Sequence, residues 1–189
     1  MPWYKKLHYN SPVVLTYALI CLVFLILNII TIGWFSKTFL VSYGHPSLLN
    51  PMTYVRGLLY IFGHSSVQHF AGNMLTFLLV GPIVEEKYGS KRLIEMIFIT
   101  GILTAIVNGL FFSSGIIGAS GIVFMLIMLS AFVNIKKDTI PISLVLVATI
   151  YLGSELYNGL FVHDNVSQLA HIAGGIVGLV FGLIYNRKN

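Results

Sequence analysis

Charged residues are scarce in this sequence. Asp, Glu, Lys and Arg make up only 9% of the 189 residues, whereas 57% of the residues are hydrophobic. Soluble domains carry about 25% charged residues. A water-soluble fold of this length could not bury so much apolar surface, so the composition excludes that class and favours a protein that has lipid as its solvent.

Cysteine is almost absent. The single cysteine, Cys21, lies in an apolar run, which excludes an internal disulfide and a metal site built from several cysteines. Burial disfavours the thiolate form of cysteine, so we expect this thiol to be inert.

Acidic residues are also few, six against eleven Lys and Arg, which gives a net charge of +5. The basic residues stand in small groups between apolar runs. This pattern orients membrane proteins and is not the basic stripe of a nucleic-acid-binding protein. We therefore expect the lipid bilayer, and no nucleic acid, as a partner. The first apolar run is too long for a signal peptide and no small-residue cleavage site follows it, so it predicts a retained first helix.

Six apolar segments predict six transmembrane helices, at 13–32, 69–84, 92–112, 117–135, 140–157 and 168–186. At about 1.5 Å per residue each segment can cross about 30 Å of hydrocarbon, the second and fifth only barely. Lipid offers no partners for backbone polar groups, which favours helices over open strands. We expect one all-α domain, residues 1–189, that forms a polytopic bundle of six transmembrane helices.

The placement of Lys and Arg predicts how the chain crosses the membrane. With the N-terminus inside, only Lys37 and Arg56 lie outside, and the other nine face the cytoplasm, as the positive-inside rule favours. These nine are Lys5, Lys6, Lys87, Lys91, Arg92, Lys136, Lys137, Arg187 and Lys188. The sequence thus predicts a multi-pass protein of the cell membrane with both termini in the cytoplasm. The outer connection 33–68, long and poor in charge, predicts a structured loop at the membrane surface.

A serine stands between glycines at the start of the fourth predicted helix, in the run Gly118-Ala119-Ser120-Gly121. Small residues in membrane helices usually serve close packing, which is one interpretation of this run. The other is functional, because the glycines leave the Ser120 amide accessible. A helix N-terminus also offers unpaired N–H donors and a positive dipole end to an oxyanion.

A histidine, His171, precedes a stripe of glycines in the last predicted helix. Gly174 and Gly178, extended by Gly182, form a small-residue face on which another helix can pack closely. His171 lies on the same side, three residues before Gly174, so the helix that packs there will meet the imidazole. The alternative is an interfacial or hydrogen-bonded structural histidine.

Two further polar pairs stand out. His69 and Asn73 share a face of the second predicted helix, where they could donate hydrogen bonds to a developing negative charge or make a polar contact between helices. Arg56 and His64 lie in the outer connection, and ordinary surface charge is the alternative for both. With the N-terminus inside, the helices that carry His69, Ser120 and His171 all begin on the outer side. Each of these residues lies within the first few residues of its helix, so we expect all three at a similar depth.

Hydrolysis of an amide by serine needs a nucleophile, a base and donors for the oxyanion. Ser120 and His171 provide the first two, and His69, Asn73 and the Ser120 N–H could provide the donors. No acidic residue has a helical spacing that places it on His171, so we predict a dyad whose imidazole packs against Phe124. A zinc site of three histidines is the alternative, but no H-E-x-x-H motif supports it, and we expect no metal or other cofactor.

Together these motifs resemble the rhomboid family of intramembrane serine proteases, from about residue 54 to 185. The matching stretches are G-A-S-G at 118–121, A-H-x-A-G-G-x-x-G at 170–178, and H-x4-H-x3-N, which spans His64, His69 and Asn73. The resemblance implies a six-helix bacterial form with Ser120 as nucleophile, His171 as general base and acid, and His69 and Asn73 in the oxyanion hole. It also implies transmembrane protein substrates.

Other positions match the family in part. Arg56 corresponds to the arginine of its W-R motif, although Val55 replaces the tryptophan, and Glu85 with Gly89 corresponds to its E-x3-G motif. Phe124 replaces a tyrosine found in some members, so it can stack on His171 but offers no hydroxyl.

Two rival functions remain open at this point. One is a catalytically inactive relative that binds transmembrane helices, which would not need both Ser120 and His171. The other is a small transporter or channel, for which we expect acids within the membrane or broken helices and find neither clearly. The sequence leaves the oligomeric state, the natural substrate and any regulation open.

Overall fold

The computed structural model describes residues 8–133, 139–161 and 168–186, and these residues are mainly α-helical. The helices, in chain order, are α1 (Pro12–Ile30), α2 (Pro51–Leu59), α3 (Val67–Tyr88), α4 (Ser90–Phe111), α5 (Ser120–Ser130), α6 (Ile142–Phe161) and α7 (Gln168–Asn186). A π-helical turn (Ser36–Leu40) and a 3₁₀ turn (Tyr60–Phe62) lie between α1 and α3. The predicted all-α membrane bundle is confirmed.

Three helices are long and apolar enough to cross a membrane, namely α1, α3 and α4. The described part of the chain holds three further apolar helical segments that are shorter, Ser120–Ser130, Ile142–Tyr151 and Ala170–Tyr185. The count of six spans therefore stays a prediction. The predicted orientation does too, because Lys5, Lys6, Lys136, Lys137, Arg187 and Lys188 lie outside the described residues.

The connection between α1 and α3 is structured, and it contains a helix that was not predicted from the sequence. Asn50 caps α2 by accepting a hydrogen bond from the Met52 amide (3.0 Å), and Pro51 occupies the first helical position. Proline is favoured there because the first N–H of a helix has no partner within it. Leu48 and Leu49, just before this helix, are exposed.

The fourth predicted segment, 117–135, is wrong at its start and also too long. Gly118 has φ +133°, outside the helical region, and its amide bonds to the Tyr60 carbonyl (3.0 Å). Just before it, Ile116 pairs with Ser42 in an antiparallel bridge. These long-range contacts hold the chain extended, so α5 begins at Ser120, and residues 131–133 form a turn.

A single residue, Gly89, joins α3 to α4. Its φ of +83° suits glycine, and its amide bonds to the Glu85 carbonyl (2.8 Å). The Glu85 carboxylate is buried at this end of the bundle, where it accepts bonds from the Val13 and Val14 amides (both 3.1 Å) and from the Ser90 hydroxyl (2.6 Å). One carboxylate therefore caps α1 and fastens it to the α3–α4 turn.

The glycine face of α7 packs against α5. A β-carbon on Gly174 would overlap the Gly121 carbonyl, and one on Gly178 would lie 2.6 Å from the Met125 carbonyl oxygen. Further along, a β-carbon on Gly182 would overlap the Phe132 ring. The two backbones approach this closely only because these positions carry no side chain.

Candidate active site

Ser120 is the first residue of α5, with Ala119 as its N-cap. The first amides of a helix have no partner within the helix, so N–H donors surround this serine. Gly118, two residues earlier, lets the incoming chain turn into the helix with a backbone conformation that other residues rarely adopt. The site therefore presents a hydroxyl and free amides at one point.

His171 lies in the first turn of α7 and is 9% exposed. Its ring stacks on Phe124, with centroids 4.5 Å apart and planes 6° from parallel. Phe124 in turn meets Tyr151 of α6 edge to face, with centroids 5.7 Å apart. The Phe124 ring, which itself packs against Tyr151, thus covers one face of the imidazole and restricts its rotation.

The closest approach of α5 and α7 occurs next to these two residues. Gly121 follows Ser120 directly, and a β-carbon on it would lie 3.1 Å from the carbonyl oxygen of Ala170, which directly precedes His171. A side chain on Gly174 would overlap the backbone of the same Gly121, so the second turn of α7 also lies directly against this residue. The helix contact itself therefore brings the serine and the histidine to the same place.

His69 and Asn73 reach this place from α3. A β-carbon on Gly118 would lie 2.9 Å from His69 Nε2 and 3.9 Å from Asn73 Nδ2, so both side chains border the turn before Ser120. On the other side of the ring, His69 Nδ1 lies 3.1 Å from the Ser65 hydroxyl. Asn73 Nδ2 donates one hydrogen bond to the His69 carbonyl (3.1 Å), which leaves its second N–H for another acceptor.

Ser120, His171, His69 and Asn73 line one cavity of about 760 Å³. Gly118, Gly121 and Phe124 line it as well, and no acidic residue is among its described lining residues. A cavity of this size admits a peptide segment, and its walls offer a hydroxyl, an imidazole and several N–H donors. Such a set can carry out acyl transfer.

His64 is not a surface residue, and the surface-charge alternative is wrong for it. Its side chain is 1% exposed, and its ring lies 5.1 Å from the His69 ring and 5.4 Å from Phe70. Neither ring nitrogen has hydrogen-bond geometry to any described residue. Burial and the neighbouring His69 lower the pKa of His64 to about 4, although a contact with the Phe62 backbone acts in the opposite sense. His64 is therefore neutral at pH 7 and supports His69 by packing.

Arg56 and Glu85 lie away from this cavity. Arg56 donates to the Thr38 carbonyl (2.9 Å) within the α1–α3 connection, and Glu85 caps α1. Within the described ranges, no three His, Cys, Asp or Glu side chains gather in a way that could hold a metal ion.

Several residues that line the cavity were not singled out from the sequence. Two of them carried a signal in the sequence: Ser65 stands four residues before His69, and Thr104 is a polar residue within an apolar span. Thr104 is 2% exposed and its hydroxyl has no partner among the described residues. Tyr60 and Tyr151 carried no such signal, because only the folded chain brings them to the cavity.

Comparison with known proteins gives a consistent set of relatives. The family model described as Rhomboid domain matches residues 51–188. The chain is 36% identical over 129 residues to RHOMBOID-like protein 4 of Arabidopsis thaliana, which covers 64% of this chain and 31% of that protein. It is 29% identical over 158 residues to Rhomboid-related protein 2 of Mus musculus, which covers 71% of this chain and 52% of the relative.

A bacterial relative is also similar. The chain is 28% identical over 132 residues to Rhomboid protease GlpG of Salmonella paratyphi A, which covers 66% of this chain and 46% of that protein. The chain thus spans from about a third to about a half of the length of these relatives.

Proposed function

The chain belongs to the rhomboid family, whose domain model matches well over half of it, and on that premise we propose that it is an intramembrane serine endopeptidase. The substrates would be membrane proteins, cut within their transmembrane segments. One observation carries the proposal: a serine at a helix N-terminus, a buried histidine and two further N–H donors, from three different helices, line a single cavity.

Ser120 is the proposed nucleophile and His171 the base. The Ser120 hydroxyl oxygen attacks the carbonyl carbon of the scissile peptide bond while His171 accepts the hydroxyl proton. The imidazolium then gives this proton to the leaving nitrogen, the C–N bond breaks, and an acyl ester remains on Ser120. Water attacks the ester in the same way, with His171 again as base, and this step restores the serine.

Three N–H donors are proposed for the oxyanion: the Ser120 amide, His69 Nε2 and the second N–H of Asn73 Nδ2. The Ser65 hydroxyl supports this assignment, because donation from it to His69 Nδ1 leaves the ring proton on Nε2, the nitrogen near Gly118. Loss of one such donor lowers turnover by about 10²–10³.

The Phe124 ring is the contact that we propose to orient the imidazole. Since the described lining residues include no acid, the stack on Phe124 takes over the positioning that an acidic third member performs in a triad. His64 packs behind His69 and supports the donor rather than the base.

We propose the cell membrane as the location, with both termini in the cytoplasm. The basic groups between the helices support this orientation, because Lys87, Lys91 and Arg92 lie at the α3–α4 turn, at the opposite end of α3 from His69. The active site then opens toward the outer side.

The test is labelling of the purified protein with a serine-directed fluorophosphonate, together with cleavage of a transmembrane substrate in liposomes. We expect Ser120→Ala and His171→Ala to abolish both. Ser130→Ala is the matched control, because Ser130 lies at the other end of α5 and its hydroxyl donates to the Ile127 carbonyl (2.7 Å), away from the cavity. This control should behave like wild type.

Two outcomes would redirect the assignment. If the wild-type protein is not labelled and does not cleave the substrate, but still binds transmembrane helices, the result favours the inactive relative. Inhibition by a chelator would favour the three-histidine metal site.

A further inference from the structure

The α1–α3 connection holds an arginine, Arg56, that has no acidic partner among the described residues. The first 84 residues of the chain contain no Asp or Glu. Arg56 donates through Nε to the Thr38 carbonyl (2.9 Å), and its guanidinium lies over the Tyr43 ring, 5.1 Å from the centroid. Its two terminal nitrogens make no hydrogen bond to any other described residue, so four N–H donors and a full positive charge are left over.

The Arg56 side chain lines a small cavity of about 90 Å³, which is separate from the active-site cavity. Arg56 lines it together with Ser42, Ser47, Asn50 and Thr53. Ser42 is only 7% exposed, and its hydroxyl has no hydrogen bond within the described part of the chain. Asn50 uses its side-chain oxygen to cap α2, which leaves both of its N–H groups.

The chemistry of this cavity is that of an anion site. Its lining residues carry a guanidinium, the hydroxyl of the buried Ser42 and an amide NH₂, and all three groups can donate. A tetrahedral phosphate group has enough oxygens to accept from several directions at once, and arginine binds it through two parallel N–H bonds. The cavity volume suits one such group and excludes a larger ligand such as a nucleotide.

The surroundings of the cavity identify the source of the phosphate. Leu48 and Leu49 lie in the chain between two cavity residues, Ser47 and Asn50, and are 70% and 95% exposed. In a membrane protein, exposed leucines beside a cation indicate contact with acyl chains below a headgroup. We propose that this cavity binds the phosphate of a phospholipid, in the leaflet on the side where α1 ends and α3 begins.

The test is native mass spectrometry of the full chain in detergent, titrated with dioleoyl phosphatidylglycerol. Dioleoylglycerol has the same acyl chains without the phosphate and serves as the matched ligand. We expect a phosphatidylglycerol adduct on the wild type and weak binding of dioleoylglycerol. Arg56→Gln should weaken the adduct about tenfold, because a charged donor pair is lost. Inorganic phosphate at millimolar concentration should compete only weakly, since it lacks the acyl chains.

Two variants separate the site from the fold. Ser42→Ala removes a donor without touching the Arg56–Thr38 bond and should weaken the adduct about threefold, with an unchanged thermal unfolding curve. Lys91→Gln removes a cation at the opposite face and should leave binding unchanged.

Three results would overturn the proposal: equal binding of dioleoylglycerol, equal affinity in Arg56→Gln and Lys91→Gln, or binding of inorganic phosphate that displaces no lipid. If Arg56→Gln does not fold, Arg56→Lys is tested in its place. This variant keeps the charge but not the two parallel N–H bonds of arginine, and it should bind the lipid more weakly than wild type. Equal affinity in both Arg56→Lys and Ser42→Ala would also refute the site.

Discussion

Gly174 offers the sharpest test of how the two helices place the proposed dyad. A β-carbon at Gly178 would lie 2.6 Å from the Met125 carbonyl oxygen, about 0.8 Å closer than the 3.4 Å at which ordinary contacts begin. One at Gly174 would meet the backbone of Gly121 more closely still. Since the atoms in the way belong to the backbone, they cannot rotate aside, and Gly174→Ala must push α7 away from α5 by about 1 Å.

The magnitude follows from two opposing effects. Alanine raises intrinsic helix stability by about 1 kcal/mol relative to glycine. Overpacking of a close contact costs about 1–3 kcal/mol. The net change in the free energy of unfolding is therefore small, whereas a misplacement of about 1 Å between reacting groups costs about 10²-fold in rate. We expect Gly174→Ala to remain folded and to lose about a hundredfold in fluorophosphonate labelling and in substrate cleavage.

Gly153→Ala is the matched control. Gly153 also lies within a helix, α6, but a β-carbon there would have no atom within 4 Å. This variant should keep wild-type activity and be as stable as wild type or slightly more stable. Labelling rates and thermal unfolding are measured on all three proteins in the same detergent. Wild-type labelling in Gly174→Ala would refute the claim that backbone contact between α5 and α7 positions the serine and the histidine.

Three further predictions follow from single contacts. Phe124→Leu removes the stack on the histidine, worth about 1 kcal/mol, and should slow labelling about fivefold, whereas Phe111→Leu, at an exposed position, should not. Glu85→Gln should lower the free energy of unfolding by about 2 kcal/mol, whereas Glu86→Gln, at an exposed position, should not. The pKa of His64 is lowered to about 4 in the folded protein, whereas an unfolded histidine has a pKa of about 6.5. As the pH falls, the unfolded chain therefore takes up a proton before the folded protein does. The free energy of unfolding should fall between about pH 6.5 and 4, by about 3 kcal/mol in full.

Each of these has a contrary outcome. Equal labelling rates in the two phenylalanine variants would mean that the stack does not orient the base. Equal unfolding of the two glutamate variants would remove the cap of α1 as a source of stability. A His64→Phe variant should lose the pH dependence in that window, and a curve that matches wild type would assign it to another group.

The helices and their apolar character could be predicted from the sequence because they depend on local composition. The last predicted segment, 168–186, is helical, as expected from its apolar and small residues. α2 also carried a local signal, Asn50 followed by Pro51, but this nine-residue helix is too short to form a long apolar run.

The remaining features depend on contacts far apart in the chain. The late start of α5 comes from the bridge between Ser42 and Ile116 and from the bond between Gly118 and Tyr60. The glycine stripe of α7 indicated a close neighbour but could not identify it as α5. The burial of His64 was not visible either, because the polar residues around it in the sequence are typical of a surface loop.

The carboxylate that caps α1 has a consequence for how this protein is made. Its two backbone bonds reach residues 71 and 72 positions earlier in the chain. During synthesis, the first helix enters the membrane before Glu85 and Ser90 exist, so its leading amides at first depend on water or lipid headgroups. Docking of that helix is then a late step of assembly, completed only when the hairpin formed by α3 and α4 has inserted and turned at Gly89.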